Sequence, residues 1–200
     1  MLEKTKDFIE TLGDPKVDPS IFNHPLALKI SWEPIAGSGF TFKAHVFDKS
    51  NPNKWVIKRS KKLIFFSTSL VVVGLALTDF AHTNSDSARL NIAAACLILL
   101  GIMYYIGTRR SFKIDFLRSK LHNKKQIINL NQIGGIQIIE YWTGGKNSRK
   151  TFQMNLALND ATRIFVMSNG NREHILNEST ALAQALGCAV WDGSREGLKE

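Results

Sequence analysis

The chain has 200 residues, enough for one ordinary domain or for a small domain attached to a membrane anchor. Its formal charge of +9 favours anionic partners, which are lipid headgroups, nucleic acid or an acidic protein face. The two cysteines, Cys96 and Cys188, exclude the class of small proteins built on a disulfide framework.

Residues 1–25 are predicted to form a short amphipathic helix and an extended linker. Phe8, Ile9 and Leu12 share one side of the helix, and three prolines between 14 and 25 keep the chain extended after it. The first twelve residues lack an apolar core of the length that a signal peptide needs. We therefore expect an internal segment to direct membrane insertion.

Residues 26–61 are predicted to form a β-hairpin arm with a basic flank. Apolar and polar residues alternate from Leu26 to Trp32, a Pro and Gly turn follows at 34–39, and the alternation resumes from Phe40 to Val46. An isolated two-stranded hairpin is marginal in water, so the arm should dock on the C-terminal sheet or on a partner.

Residues 62–108 are predicted to form a hairpin of two transmembrane helices. The runs 63–78 and 90–107 contain no charged residue, and a polar turn lies between them. At 1.5 Å per residue, the roughly 18 residues of the second run reach about 27 Å, near the hydrocarbon thickness of a bilayer. Two buried helices of a soluble core are the alternative, but such helices usually keep a polar face. No ionisable side chain lies at mid-depth, which favours an anchor over a transport path.

Basic residues flank the helices on one side. Five Lys or Arg residues lie at 54–62 and five more at 109–120, whereas residues 79–89 carry one Arg against two Asp. The positive-inside rule then places both termini in the cytoplasm.

Residues 109–192 are predicted to form an antiparallel meander of about five strands closed by one helix. Each strand shows the period-two alternation of a half-buried strand. The strands are predicted at 112–116, 126–130, 136–141, 152–158 and 162–167. Asn171 is the predicted N-cap of the helix, Gly187 ends it, and 193–200 is predicted to be a disordered tail.

Several short motifs together resemble a known architecture. They are Pro25-Leu26-Ala27, Trp32-Glu33-Pro34, Gly37-Ser38-Gly39, Glu140-Tyr141-Trp142, Gln153-Met154-Asn155-Leu156, Leu186-Gly187 and Trp191-Asp192. In this order around a two-helix hairpin, they resemble bacterial inner-membrane proteins whose cytoplasmic part is similar to a pleckstrin-homology-like domain. The resemblance implies an α+β membrane protein with a PH-like domain and a bacterial inner-membrane location. It implies no activity.

Motifs for metal or phosphate chemistry are missing from the sequence. The five histidines stand at least twenty residues apart and the cysteines form no CxxC pair, so no metal site and no cofactor are predicted. The loop at Gly145-Lys146 fails the P-loop pattern, because Glu140 stands where a glycine is needed and Asn147 where Ser or Thr is needed.

The first functional hypothesis is a non-catalytic, membrane-anchored scaffold or accessory subunit that binds another protein of an inner-membrane complex. The residues predicted to contact that partner are apolar and belong to the arm. They are Trp32, Phe40, Phe42 and Phe47.

The second hypothesis is a module that binds anionic lipid headgroups at the cytoplasmic leaflet through basic residues. These are Arg118, Lys120, Lys124, Lys125, Lys146, Arg149 and Lys150. The alternative is that these charges only set the topology. Nucleic-acid binding is disfavoured because the basic clusters border the helices. A lipid-acting enzyme is the remaining alternative, and convergence of Trp142, His122 and His174 in one pocket would favour it.

Overall fold

The computed structural model describes residues 17–35, 44–83, 87–108, 111–124, 126–143 and 149–198. It shows an α+β protein in which two long apolar helices interrupt the strands of a β domain. The expectation of a mixed α+β chain with antiparallel sheets and two apolar helices is confirmed at this level.

The first described segment is helical where a strand was predicted. A 3-10 turn, Pro19–Phe22, precedes the short helix α1, Pro25–Lys29. The prediction of a strand from Leu26 to Trp32 is wrong because Pro25 favours the first helical turn, and the His24 ring accepts a hydrogen bond from the Leu26 N–H at 3.2 Å. The residues of this segment that are buried, Leu26, Ala27 and Ile30, follow helical rather than strand spacing.

A β-hairpin does occur in the arm, but later in the chain than predicted. Strands β1, His45–Asn51, and β2, Lys54–Arg59, pair antiparallel around a turn at Pro52-Asn53. The Asn51 side chain accepts a hydrogen bond from the Asn53 N–H at 2.9 Å and supports that turn. The predicted strand Phe40–Val46 overlaps β1 only at its end, and residues 36–43 lie outside the described part of the chain.

Helices α2, Lys61–His82, and α3, Ser87–Gly107, are both long enough and apolar enough to cross a membrane. Ser60 caps α2, because its hydroxyl accepts a hydrogen bond from the Leu63 N–H at 3.2 Å. The two helices pack against each other as an antiparallel pair. This pair coincides with the predicted hairpin at 62–108.

The arm and the chain after the helices form one five-stranded antiparallel sheet. Strands β3, Phe112–Asp115, β4, Lys120–Asn123, and β5, Gln126–Asn129, follow the helices, and the order is β1-β2-β3-β4-β5. Trp55 of β2 lies opposite Ile114 of β3, although the whole helix pair separates them in sequence. Residues of the arm that follow Phe40 and Phe42 therefore pair with the C-terminal part of the chain. The contacts predicted for Phe40 and Phe42 themselves lie outside the described residues.

A second sheet has the order β8-β7-β6-β9. Its strands are β6, Ile133–Thr143, β7, Arg149–Leu158, β8, Arg163–Asn169, and β9, Ala189–Asp192. Strand β9 runs parallel to β6 and was not predicted, because a four-residue strand carries almost no periodicity. Helix α4, Arg172–Leu186, connects β8 to β9 and has the predicted caps, Asn171 and Gly187.

One core lies between the two sheets and α4. Ile114 of the first sheet, Ile138 and Met154 of the second sheet, and Ile175 and Leu182 of α4 are fully buried there. The opposite face of the second sheet is covered by α1. The second sheet is thus buried on both faces, which a half-buried pattern did not predict.

Residues 193–198 form an ordered turn where a disordered tail was predicted. The Gly193 N–H donates to the Ile138 carbonyl at 2.9 Å, and the Arg195 N–H donates to Oε2 of Glu140 at 3.0 Å. Ser194 is completely buried. The prediction is wrong for these six residues, because Gly193 and Arg195 donate to the non-local strand β6 and the backbone N–H groups of Gly197 and Leu198 donate within the turn to Ser194.

Candidate interaction surfaces

The helix pair presents an apolar surface to its surroundings. In the most apolar 18-residue stretch of each helix, only 17% of α2 and 11% of α3 is buried by other parts of the protein. Phe65 and Met103 are 76% and 69% exposed. A soluble protein rarely exposes such a continuous apolar surface, and the core helices of a soluble protein would be mostly buried. The pair together with the β domain therefore fits a membrane-anchored protein.

The helix pair is joined to the β domain by specific contacts at one end. Nε2 of the buried His45 lies 2.9 Å from the Thr108 carbonyl at the end of α3. The Arg59 guanidinium donates to the Tyr105 carbonyl at 2.6 Å and stacks 3.7 Å from the centroid of the Tyr105 ring. We call the end of the β domain that makes these contacts the junction end, and the opposite end the distal end.

The strand directions separate the basic residues that were predicted to bind lipid. Strand β3 runs from the junction end to the distal end, so the turn that follows it carries Arg118 and Lys120 to the distal end. Strand β4 returns the chain, and the Lys124 N–H donates to the Ser111 carbonyl at 2.9 Å beside the end of α3. Lys124 therefore lies at the junction end.

Arg149 and Lys150 also lie at the junction end. They begin β7, whose Phe152 pairs with Asn169 just before α4. His174, in the first turn of α4, lies 3.4 Å from the carbonyl of His45. Lys150 is ion-paired with the buried Glu140, with Nζ 3.3 Å from Oε1.

Three of the seven predicted lipid-binding residues thus share the junction end and two lie at the distal end. The remaining two, Lys125 and Lys146, lie outside the described residues.

Two of the four arm residues that were predicted to contact a partner, Trp32 and Phe47, make contacts within the chain. Phe47 is only 7% exposed, and its ring packs against those of Trp55 and Phe112 in the core. Trp32 stacks on Phe22 with 4.9 Å between ring centroids, and its Nε1 donates to the Ala27 carbonyl at 3.0 Å.

This corrects the prediction for Phe47, because the alternation of β1 points its side chain into the core. Trp32 is half-buried in contacts with the chain's own N-terminal segment. Phe40 and Phe42 lie outside the described residues.

A buried polar network lies beneath the N-terminal segment. Gln153 donates to Asn155 at 2.7 Å, and Asn155 donates to Gln137 at 3.2 Å, with all three side chains inaccessible to solvent. Gln137 then donates to the Ser31 carbonyl at 2.9 Å. The sequence pattern missed this network, because buried polar residues on alternate strand positions look the same as a solvated face.

Arg163 extends that network. Its guanidinium donates to the Glu33 carbonyl at 2.7 Å and to Oε1 of Gln137 at 3.2 Å. Partial burial lowers the pKa of Arg163 below its ordinary value, although the arginine remains charged at any physiological pH. The network is paired throughout the residues named here, so its role is to hold the N-terminal segment on the second sheet.

The solvent face of the five-stranded sheet is basic. We call this surface the outer sheet face. It comprises Lys54, Val56, Lys58, Lys113, Lys120, His122 and Ile127, with Asp48 and Asp115 among them. Four lysines outnumber two aspartates. Ile127, which lies opposite His122, is 61% exposed.

Both aspartates of this face are already hydrogen-bonded. Lys58 is hydrogen-bonded to Asp48 and, with Ser50, holds the pKa of that carboxyl down to about 2. The backbone N–H of Arg118 lowers the pKa of Asp115, with smaller contributions from nearby lysine and arginine charges. Both aspartates are ionised at neutral pH and offset two of the four lysines. The other two lysines give the face its excess positive charge.

The three residues named for a lipid-acting enzyme do not converge in one pocket. His122 lies on the outer sheet face, whereas His174 belongs to α4, which packs on the inner side of that sheet. Trp142 lies near the end of β6 in the other sheet. Among the described residues, no group of three or more His, Cys, Asp or Glu side chains could hold a metal ion.

Comparisons with known proteins add no identification. No protein-family model matches the chain, and no curated protein matches its sequence.

Proposed function

We propose that this protein is a non-catalytic, membrane-anchored scaffold or accessory subunit. In this proposal the helix pair crosses the bilayer and the outer sheet face binds an acidic surface of another protein of a membrane complex. One observation carries the proposal. An exposed apolar helix pair is joined to a basic sheet face whose strands precede and follow the helices in sequence.

The finer features of the proposal rest on charge and on the arrangement of the sheets. Two sheets that share a core with α4 are consistent with a PH-like domain. The excess of basic residues at 54–62 and 109–120 favours cytoplasmic termini. A bacterial inner membrane is what the resemblance to known membrane proteins implies. We place the partner site on the outer sheet face rather than on the arm, because Trp32 and Phe47 make contacts within the chain.

The test is purification of the tagged full chain, at native expression, in mild detergent, followed by mass spectrometry. We expect a defined partner that the variant K54E/K120E loses, because both lysines are exposed on the outer sheet face. The control K29E/K124E makes the same charge change away from that face and should keep the partner. A lone monomer, or equal loss of the partner in both variants, contradicts the proposal.

A second function, binding of anionic headgroups, is favoured by the junction-end position of Lys124, Arg149 and Lys150. Each basic residue near a membrane surface contributes about 1 kcal/mol of attraction. In nanodiscs, hydrogen exchange at the start of β7 should slow when anionic lipid replaces neutral lipid. K124E/R149E should abolish that change, whereas K54E/K120E should preserve it. An unchanged exchange rate in the wild type rules this function out.

A further inference from the structure

A groove runs along the outside of the helix pair near the junction end. Its volume is about 440 Å³, within the range of about 300–1,000 Å³ that is usual for ligand sites. Its walls are Ser67, Thr68, Val71, Gly101, Ile102, Tyr105 and Ile106. The Ser67 hydroxyl donates to the carbonyls of Leu63 and Ile64 at 3.1 and 2.9 Å, so its polar group is satisfied inside α2. The groove therefore offers an almost wholly apolar wall.

Cationic side chains stand at the junction end of this groove. Arg59 stacks on Tyr105, which is itself part of the groove wall. One of the five guanidinium N–H groups donates to the Tyr105 carbonyl. Lys61 precedes Thr68 by seven residues, about two helical turns, and so lies on the same face of α2. Both basic residues lie where α2 begins, the level at which lipid headgroups meet a membrane-spanning helix.

We propose that this groove binds one acyl chain of an anionic phospholipid whose phosphate lies against Arg59 and Lys61. The inference rests on the proposed membrane anchoring and adds a defined lipid site to it. Charge complementarity selects the occupant, because an apolar groove that ends at a guanidinium and an ammonium matches an acyl chain that ends at a phosphate. A neutral helix of a partner would leave that cationic end without a counterpart.

The headgroup half of the proposal is tested by native mass spectrometry of the full chain in mild detergent. Phosphatidylglycerol and phosphatidylcholine with identical acyl chains are titrated separately. We expect one tightly retained phosphatidylglycerol per chain. The variant R59Q/K61Q should lose roughly 5-fold to 30-fold in affinity for phosphatidylglycerol and little for phosphatidylcholine.

The matched control is K54Q/K62Q, which removes the same charge. Lys54 lies at the distal end of the strand that carries Arg59, and Lys62 lies about 120° around α2 from the groove. This variant should bind phosphatidylglycerol as the wild type does. Equal losses in the two variants mean that the attraction is diffuse, and the proposal fails.

The acyl-chain half is tested by filling the groove. I102W should weaken retention of both lipids, because Ile102 forms part of the groove wall. M103W is the control, since Met103 is 69% exposed on the next residue of α3 and does not line the groove. If I102W does not fold, the comparison of the two charge variants still decides the proposal.

The remaining outcomes separate this proposal from the proposed function. Extraction of the chain from membranes by alkaline carbonate overturns membrane anchoring and the lipid site together. Membrane retention with equal binding of both lipids by the wild type overturns the lipid site alone. A dimer that disappears in I102W would assign the groove to a second copy of the chain, which also overturns the lipid site.

Discussion

The helix pair and the β domain use the same apolar residue types in opposite ways. In the β domain, Ile114, Ile138 and Met154 are fully buried by other parts of the chain. In the helix pair, Phe65 and Met103 project outward, and the helices meet each other at small residues instead. The β domain thus makes its own apolar interior, whereas the helix pair requires an apolar environment from outside, which we propose to be a bilayer.

Glycines at the contact between the two helices allow them to approach each other closely. A Cβ atom added at Gly101 would lie 2.8 Å from Cγ2 of Val71 and 2.9 Å from the Ser67 carbonyl oxygen. A Cβ at Gly74 would lie 2.9 Å from the Ala94 carbonyl oxygen. Backbone atoms cannot rotate away, so these two glycines set how closely the helices approach.

The largest expected effect comes from shortening one apolar side chain in each region. I138A should destabilise the β domain by about 2–5 kcal/mol, because the vacated space in the core cannot be filled. L99A should change the stability of the reconstituted protein by less than about 1 kcal/mol, since Leu99 is 58% exposed and lipid fills the space. Chemical denaturation in bilayers measures both values. Comparable losses of stability in the two variants would contradict the claim that lipid, and not the protein, surrounds the apolar side chains of the helix pair.

A glycine pair in one helix tests the helix contact. G101V should destabilise the helix pair by about 1–3 kcal/mol, because its side chain meets the Ser67 backbone. G107V is the control, as a Cβ at Gly107 meets no atom within 4 Å. Association of the helices can be followed by energy transfer between labels on the two helices. Equal stabilities of the two variants would show that the helices do not pack in this way.

The polar network on the second sheet can be tested through Gln137, which joins it to the N-terminal segment. Q137L should cost roughly 1–2 kcal/mol, because the Ser31 carbonyl and the Asn155 amide each lose a partner. It should also speed proteolysis within residues 17–35. Q126L, at an exposed position of β5, should leave both stability and cleavage unchanged. Unaltered cleavage in Q137L would mean that the network does not hold this segment.

The smallest expected effect is a pH dependence at the outer sheet face. The pKa of Asp48 is lowered to about 2 in the folded chain, so its stabilising contribution is present above its ordinary pKa and is lost as the pH falls toward 2. D48N should therefore reduce the loss of stability on acidification below about pH 4. K58M should do the same, because Lys58 is the main partner. Identical acid unfolding curves for wild type and D48N would show that this pair contributes nothing.

Local signals made some elements predictable. The uncharged runs identified α2 and α3, and the Asn171 and Gly187 caps marked the ends of α4. The arm was harder, because its apolar alternation fitted a strand while Pro25 and His24 started a helix. Strand β9 is stabilised by pairing with a strand about 50 residues earlier, and no local pattern records such a pairing.

The candidate surfaces also combine local properties, which the sequence shows, with non-local ones, which it does not. The number of basic residues was evident from the sequence, but Lys120 and Lys124, four residues apart, lie at opposite ends of β4 and therefore of the domain. Phe47 looked available for a partner, yet its inward position in β1 places it in the core. Burial depends on which strand lies opposite, and that is a non-local property.

The amino-acid pattern alone was enough to predict the two apolar helices, the charge of +9 and the strand-rich character of the chain on either side of the helices. These follow from hydrophobicity and periodicity, which act within a few residues. The pairing of β2 with β3 across the helix pair, which forms the outer sheet face, is evident only in the folded chain. The same is true of the contact between Arg59 and Tyr105 at the cationic end of the groove. The strand pairing is selected by the shared core of Phe47, Ile57 and Ile114, whose free energy exists only once distant strands meet.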